Sequence, residues 1–454
     1  MPVTDGGART AIAAVTSEFA EFSFADTGPE ADYGDGPLTW SGYTEQRARA
    51  RTRSGESESV VCGQGQIGNQ PVVLVAFDFR YIGGSLGQRA GTRICRAFEI
   101  ARRLRWPVVS LISTGGSRMQ EGMRSLLQLQ RIARQLQLTR WEGLAHIAVL
   151  REPTTGGVWA SLGAGADIVL AVRDATVAFG GHRVQPPGGA DGPEFRSEGK
   201  FAAGAVDAVV DQATLPHTLR HVVELLAPTG AAPVQPATVP RALGRQDWPA
   251  DGWSAVQRAR AVERPRADAY LDDYFDHVFE ISGDRAGGAD PGMRCGFGRR
   301  DGATVAYVAQ TGTANTPAGF RTAARLIRLA DQLRLPVLTL VDTPGAANDA
   351  AAEHAGVGSA LAELFGAVAA VDVPITTLVI GEGGSGGALA LASADRLWIT
   401  PDAYFSVIAP ELGAAILKRG PAEVEHTANQ LRLRPQDLLE LGIVHGIAGE
   451  EPID

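Results

Sequence analysis

The chain has 454 residues and a formal net charge of −9; 44% of its residues are hydrophobic and 20% are charged. This length exceeds one ordinary domain, and the apolar fraction is enough for complete hydrophobic cores. The acidic balance argues against a nucleic-acid-binding protein. The lack of a long apolar run and of a signal-peptide pattern leads us to expect a cytoplasmic protein with no membrane partner.

The cysteines are few and isolated. Cys62, Cys95 and Cys295 form neither a disulfide framework nor a Cys-x-x-Cys zinc site. The eight histidines show no metal-ligand spacing either. We therefore expect no zinc and no other metal site.

The first part of the chain predicts an N-terminal arm and then a domain of alternating strands and helices. Residues 1–35 are turn-rich and only weakly periodic, which is typical of an arm. From residue 36 to residue 226, apolar runs alternate with glycine turns and helical patterns. The predicted elements are a strand at 70–79, a helix up to 104, a strand ending before Gly115, a helix at 123–138, a strand at 147–150 and a helix after Gly157.

A second α/β domain is predicted beyond a linker. Residues 227–250 are rich in proline, alanine and glycine, so we expect them to connect the domains. The second domain then covers residues 251–454. Its predicted helices lie at 256–260, 269–279, 319–333, 356–370 and 387–394, and its predicted strands lie at 305–310, 337–342 and 375–380.

The two halves repeat one pattern. Residues 107–116 and 336–345 are apolar runs of the same length, and each ends in glycine. A second glycine cluster follows each run, at 154–157 and at 381–388. The pair Ala166-Asp167 recurs as Ala394-Asp395, at an offset that is shorter by a single position. A register kept over so much of the chain indicates one folding unit used twice.

Glycine turns between a strand and a helix point free backbone N–H groups at one place, which favours a negatively charged oxygen. No phosphate-binding P-loop is present, so an oxyanion developing on a thioester or urea carbonyl is the better interpretation. Glycines that only allow close packing are the structural alternative. Glu121, Glu152 and Glu382 lie beside the clusters, where carboxylates more often cap helices or form ion pairs than act as acids or bases.

At these motifs the sequence resembles a known family. The first half resembles the beta subunit of bacterial acetyl-CoA carboxylase carboxyltransferase at residues 77–87, 152–157 and 113–123, the last reading Ser-Thr-Gly-Gly-Ser-Arg-Met-Gln-Glu-Gly-Met. The second half resembles the alpha subunit at residues 279–285, 341–346, 379–390, 404–411 and 437–442. The chain thus resembles a fusion of the two subunits, beta before alpha.

The resemblance implies two crotonase-like domains of stacked ββα units, the first binding acyl-CoA and the second binding biotin. It also implies that carboxybiotin donates a carboxyl group to the α-carbon of a short acyl-CoA, with acetyl-CoA giving malonyl-CoA as the favoured case, through an enolate held by backbone amides. Gly156 and Gly157 match the enolate-stabilising amides, and Gly387 and Ala388 match those that face the biotin carbonyl. The remaining predicted substrate-binding residues are Gly115, Gly116, Arg118, Gly345, Ala346 and Gly386.

The resemblance also implies partners. Because the chain has no Met-Lys site for biotin attachment and no ATP-binding motif, biotin is expected on a separate carrier protein, charged by a separate biotin carboxylase. A homodimer or higher homo-oligomer is expected, since the family forms its active site between the first domain of one copy and the second domain of another.

Departures from the family pattern keep two other functions open. The beta subunits' zinc ribbon has no counterpart, the loop at 311–317 is short, and residues 347–349 replace a Tyr-Pro-Gly segment. A biotin-independent decarboxylase of a malonyl-type thioester is one alternative. A non-catalytic paralogue that binds an acyl thioester or a carrier protein is the other. The acyl chain, and the choice between coenzyme A and a carrier protein, also stay open.

Overall fold

The computed structural model describes residues 7–24, 34–180, 192–228, 230 and 233–449. The chain divides into two compact units, residues 1–230 and 231–454, and the described part of each contains an eight-stranded sheet with helices. The predicted α/β class is therefore confirmed. None of the helices in these described ranges is long and apolar enough to cross a bilayer.

The first unit contains a mixed sheet that is mostly parallel. The strands are β1 (Glu18–Glu21), β2 (Val60–Ile67), β3 (Gln70–Phe77), β4 (Val108–Thr114), β5 (His146–Thr155), β6 (Ile168–Val172), β7 (Val177–Ala178) and β8 (Ala208–Val210). Their order in the sheet is β1-β2-β3-β4-β5-β6-β8, and β7 pairs with β5. The helices are α1 (Ala8–Val15), α2 (Tyr43–Ser54), α3 (Gln88–Leu104), α4 (Met123–Leu126), α5 (Gln128–Trp141), α6 (Ser197–Ala202) and α7 (Leu215–Leu225).

The core of this unit explains its sequence pattern. All seven residues of β4 are buried, as expected for a central parallel strand that is covered on both faces. Ile94 and Phe98 of α3 pack with Val73 and Val75 of β3 in one apolar cluster. Ile112 of β4 and Leu150 of β5 belong to the same cluster, which therefore anchors the two strands that lead into the glycine turns.

Residues 8–21 do not form the separate N-terminal arm that the sequence predicted. Helix α1 buries Ile12 and Val15, and β1 pairs with β2 in antiparallel register. These elements are short, so their own periodicity is weak and their order depends on tertiary contacts.

The second unit repeats the arrangement. The strands are β9 (His277–Ile281), β10 (Met293–Arg300), β11 (Ala303–Gln310), β12 (Val337–Thr343), β13 (Ile375–Gly384), β14 (Leu397–Ile399), β15 (Tyr404–Ser406) and β16 (Gly446–Ile447). Their order in the sheet is β16-β14-β13-β12-β11-β10-β9, and β15 pairs with β13. The helices are α8 (Gly252–Arg260), α9 (Ala267–Tyr274), α10 (Pro317–Gln332), α11 (Ala350–His354), α12 (Val357–Ala370), α13 (Ser385–Leu389), α14 (Pro410–Ile416), α15 (Val424–Gln430) and α16 (Pro435–Glu440).

The repeat seen in the sequence is also a repeat in strand register. In the first unit Thr114 pairs with Thr154, and in the second unit Thr343 pairs with Gly383, each immediately after a local register shift. The first unit then forms a π-helix at Trp159–Gly163, whereas the corresponding segment of the second unit starts within helix α13, which ends at Leu389. Because a π-helical turn contains an additional residue, it accounts for the shorter offset between the two halves beyond this point.

Two segments of the second unit differ from the prediction. The helix expected at 269–279 ends at Tyr274, because residues 277–281 pair with β10 as strand β9. Residues 233–250, expected to be a linker, lie on the second unit: Ala237 and Ala242 are buried in its core, and Thr376 Oγ1 donates to the Ala237 carbonyl at 2.8 Å. Proline-rich composition predicted the lack of regular structure here but not the packing.

His146 makes the first unit sensitive to mild acid. Its ring is buried, its Nε2 lies 2.9 Å from Ser110 Oγ, and Phe98 packs edge-on at 5.2 Å. Burial, assisted by the charge of Arg140, lowers the pKa of His146 from 6.5 to about 3. The native state therefore binds a proton at His146 more weakly than the unfolded chain does. The contribution of the neutral ring to the free energy of unfolding is fully present above pH 6.5 and is lost as the pH drops towards 3.

We expect the free energy of unfolding to fall by about 2 kcal/mol between pH 6.5 and pH 4.5 through this histidine. Urea titrations of the wild type and of His146→Gln at both pH values measure the effect. The variant cannot bind a proton at position 146, so its free energy of unfolding should fall less between the two pH values. An equal loss in both proteins would contradict the assignment.

Candidate active site

The first glycine turn follows β4. Thr114 Oγ1 accepts a hydrogen bond from the Gly116 amide at 3.0 Å, and Gly116 has a φ of 103°, which favours glycine. Gly115 is exposed, and its amide donates to the Gly83 carbonyl at 2.8 Å. The turn is thus held by its own strand and by the loop that follows β3.

The second cluster of this unit follows β5 and touches the first. A Cβ atom on Gly156 would lie 2.8 Å from the Gly116 Cα, so only glycine allows this approach. The Gly156 amide donates to the Ala178 carbonyl at 3.1 Å, so it is not free to bind a substrate oxygen as predicted. Gly157 begins the helical segment, where N–H groups of the first turn have no helical partner. Gly157 and Val158 are therefore the better candidate donors.

The second unit has the equivalent turn after β12. Gly345 has a φ of 140°, and its amide donates to Thr343 Oγ1 at 3.1 Å. A Cβ atom on Gly387 would lie 2.4 Å from the Ala346 nitrogen and 2.7 Å from the Gly345 carbonyl carbon. The turn and the helix therefore touch through backbone atoms at Gly387.

Helix α13 presents the amides of the second cluster. Gly386 and Gly387 occupy its first turn, in which N–H groups lack helical partners, whereas Ala388 is the fourth residue and its amide falls within the helical bonding pattern. In the repeat, Gly386 and Gly387 occupy the positions equivalent to Gly157 and Val158. Helix geometry thus favours Gly386 and Gly387 over the predicted Ala388 as donors.

Gln310 is a residue of this cluster that sequence reasoning missed. Its side chain is buried, and its Nε2 donates to the Gly387 carbonyl at 3.0 Å. The available signal was a polar residue at the end of the apolar run 305–310, which is typical of a strand end that contacts a polar group.

Two of the carboxylates beside the clusters are occupied by neighbouring groups. Glu121 accepts hydrogen bonds from the Tyr43 hydroxyl at 2.6 Å and from Arg118 at 3.1 Å. Glu382 accepts from Arg260 at 2.8 Å and from the Tyr404 hydroxyl at 2.9 Å. These contacts agree with structural roles for both residues.

The third carboxylate, Glu152, lies at the surface. It accepts a hydrogen bond from the Thr176 amide at 2.5 Å and another from the Thr176 hydroxyl at 3.1 Å. It therefore holds the segment that leads into β7, and this contact also agrees with a structural role.

Arg118 was predicted to bind substrate, and its position is at odds with that role. Only 1% of its side chain is exposed, and it pairs with Glu58 and Glu121. It also donates to the Ser85 carbonyl at 2.8 Å. Burial alone would raise the pKa of Glu58, but the Arg118 charge and hydrogen bonds lower it to about 2. Arg118 therefore stabilises the loops around the first turn through buried ion pairs and hydrogen bonds.

A groove of about 510 Å³ lies beside Gly157. Helix α5 and the π-helix form its walls, which include Leu129, Ala133, Leu136 and Ala160. These residues are dispersed in the sequence, so no local motif predicts the groove.

Both clusters present backbone amides. Across the described ranges, no group of three or more histidine, cysteine, aspartate or glutamate side chains is placed to hold a metal ion. All three cysteines are buried, which raises the pKa of their thiols and disfavours the reactive thiolate.

Comparison with known proteins agrees with this arrangement. Residues 249–453 match the family described as acetyl co-enzyme A carboxylase carboxyltransferase-like, and residues 39–186 match the carboxyl transferase domain. The acetyl-coenzyme A carboxylase carboxyl transferase subunits beta/alpha of Saccharopolyspora erythraea is 36% identical over 432 residues, which cover 90% of this chain and 74% of that protein. The chain belongs to the acetyl-CoA carboxylase carboxyltransferase family. The predicted resemblance is thus confirmed, and so is the prediction of an enzyme, since members of this family transfer carboxyl groups.

Other relatives support the same assignment. The carboxyltransferase of the same name from Salinispora arenicola is 36% identical over 474 residues, covering 99% of this chain and 81% of its own length. Among solved structures, transcarboxylase 12S superposes with a TM-score of 0.78 at 21% identity, over 97% of this chain and 86% of that one. The crystal structure of transcarboxylase 12S is a hexamer with methylmalonyl-coenzyme A and methylmalonic acid bound. At this identity the likeness concerns the fold, and it confirms the predicted crotonase-like architecture.

Proposed function

We propose that the chain is the carboxyltransferase component of a biotin-dependent acyl-CoA carboxylase. It transfers a carboxyl group from carboxybiotin to the α-carbon of a short acyl-CoA, with acetyl-CoA as the favoured substrate. The observation that carries this proposal is the pair of glycine turns, each in backbone contact with the start of a helix in a chain of this family.

The first unit is proposed to hold the thioester. Loss of the α-proton places negative charge on the thioester oxygen, and preorganised amides such as those of Gly157 and Val158 stabilise that charge. The nearby Glu121 is occupied by Tyr43 and Arg118 and is not free to act as a base. The first unit therefore contributes position and charge stabilisation.

The second unit is proposed to hold biotin. Amides are neutral donors that suit a urea carbonyl. Within the described part of the chain, a Cβ built on Gly386 meets no heavy atom within 4 Å apart from its chain neighbours and its own helix backbone, so the surroundings leave room for a ligand. When bound, biotin supplies the carboxyl group and the basic nitrogen. Gly386 and Gly387 would hold its carbonyl oxygen, and Gln310 holds the next peptide, Gly387–Ala388, through its hydrogen bond to the Gly387 carbonyl.

The proposal includes partners. We propose a separate biotin carrier protein, a biotin carboxylase and self-association into a homodimer or higher oligomer. Large apolar side chains lie exposed in each unit, which supports self-association: Met119, Met123 and Phe179 in the first unit, and Val407 and Ile416 in the second.

A biotin-independent decarboxylase remains the second candidate. The loop at 311–317, which departs from the family pattern, packs on its neighbours: the Asn315 carbonyl accepts from the Ala347 amide at 2.8 Å, and Asn315 Nδ2 donates to the Gly292 carbonyl at 2.9 Å. The same first-unit amides would then stabilise an enolate that takes up a proton.

An exchange assay separates these functions. We expect the purified chain to transfer a carboxyl group from malonyl-CoA to free biotin and to catalyse the reverse reaction. Equally rapid CO2 release without biotin, and no transfer with it, would favour the decarboxylase. Thioester binding without any turnover of short acyl or malonyl thioesters would favour the non-catalytic paralogue.

A further inference from the structure

One side chain occurs at the same place in both glycine turns. Thr114 ends β4 and Thr343 ends β12, at equivalent positions of the repeat, and both are completely buried. Thr114 Oγ1 lies 3.0 Å from the Gly116 nitrogen and 2.7 Å from the Gly84 carbonyl oxygen. Thr343 Oγ1 lies 3.1 Å from the Gly345 nitrogen and 2.7 Å from the Thr313 carbonyl oxygen.

The two sets of contacts correspond, and Thr343 Oγ1 additionally lies 2.8 Å from the carbonyl oxygen of Gly345 in its own turn. A hydroxyl has one donor and two acceptor positions, so each threonine can accept from the turn amide while it donates to a carbonyl. The two carbonyls, of Gly84 and Thr313, also correspond to each other in the repeat, and each belongs to the loop that follows the preceding strand. Each hydroxyl therefore joins a glycine turn to the neighbouring loop.

Each turn is in backbone contact with the start of a helical segment. In the first unit the Gly116 Cα lies against Gly156, which directly precedes the Gly157 amide. In the second unit the backbone of Gly345 and Ala346 lies against Gly387. Because these contacts are between backbone atoms, a turn that tilts must move the amides that follow.

We infer that Thr114 and Thr343 are matched positioning residues that set the orientation of the two clusters of backbone amides. The inference rests on the proposed function for its kinetic consequence. Neither hydroxyl touches substrate. Each acts through its turn, and displacement of catalytic groups by about 1 Å can lower a rate by about a hundredfold.

Valine and serine variants at both positions test the inference. Valine has the volume of threonine but neither hydrogen bond, whereas serine keeps both. We expect Thr114→Val and Thr343→Val to lower kcat by about tenfold to a hundredfold, with the KM values changed less. Thr114→Ser and Thr343→Ser should stay within about threefold of the wild type. Thr322→Val is the control, because buried Thr322 donates only to a carbonyl of its own helix, that of Ala318 at 2.8 Å.

Amide hydrogen exchange in residues 115–118 and 345–347 gives a readout that does not need activity. Faster exchange in the valine variants, and wild-type exchange in the serine variants, is the expected result. If a valine variant does not fold, the cysteine variant, with a weakly hydrogen-bonding group, replaces it. Valine variants with wild-type kcat and wild-type exchange would overturn the inference and leave the proposed function standing. A wild type without carboxyl transfer would refute the proposed function, while the exchange data would still decide the role of the threonines.

Discussion

Replacing Gly387 by alanine is expected to lower kcat for carboxyl transfer by about a hundredfold to a thousandfold. The added Cβ would lie 2.4 Å from the Ala346 nitrogen and 2.7 Å from the Gly345 carbonyl carbon. Both are backbone atoms and cannot rotate away, so either the turn or α13 must move. Movement of either one changes the direction of the amides that we propose to hold the biotin carbonyl.

The measurement is kcat with separate KM values for biotin and malonyl-CoA, together with the melting temperature. Gly358→Ala is the matched control, because Gly358 lies in α12 and, among the described residues, only its chain neighbours and its own helix backbone would lie within 4 Å of an added Cβ. Alanine is the better helix former, so this variant should keep full activity and be slightly more stable. Full kcat in Gly387→Ala would show that this cluster does not take part in the reaction.

Replacing Arg118 by methionine is expected to destabilise the first unit by about 3–5 kcal/mol, as is typical when one partner of a buried ion pair is removed. The variant leaves the carboxylate of Glu58 buried without its cation, and Glu121 loses the same partner. Urea unfolding, followed by a probe in the first unit, measures the loss. Arg105→Met is the control, since Arg105 pairs with Glu142 at the surface, where 58% and 54% of the two side chains are exposed. Its effect should stay below about 1 kcal/mol.

The same variant should change the response to strong acid. Because the pKa of Glu58 is lowered from 4.5 to about 2 in the native state, its stabilising contribution is complete above pH 4.5 and is lost as the pH falls towards 2. Without Arg118, the loss of stability that comes from protonation of Glu58 should disappear. An Arg118→Met protein as stable as Arg105→Met, with an unchanged acid profile, would show that the buried pair contributes no net stability.

The sequence alone located both glycine turns, because glycine at the end of an apolar run is a local signal that recurs at a constant spacing. It also predicted most of the central strands and the family. It did not predict β1 or the strand at residues 277–281, since short strands depend on pairing partners distant in the sequence. Nor did it show which amides are free.

Spacing and composition thus determined where backbone amides cluster and what kind of chemistry they suit. Tertiary structure alone decided which of these groups are available. The Gly156 amide donates to the carbonyl of Ala178 on β7, and Arg118, predicted to bind substrate, is paired with Glu58 and Glu121. The physical reason is that a hydrogen bond or ion pair between residues far apart in the chain depends on how the elements pack. A local motif can identify a donor, but only the packed neighbours determine whether that donor is already used.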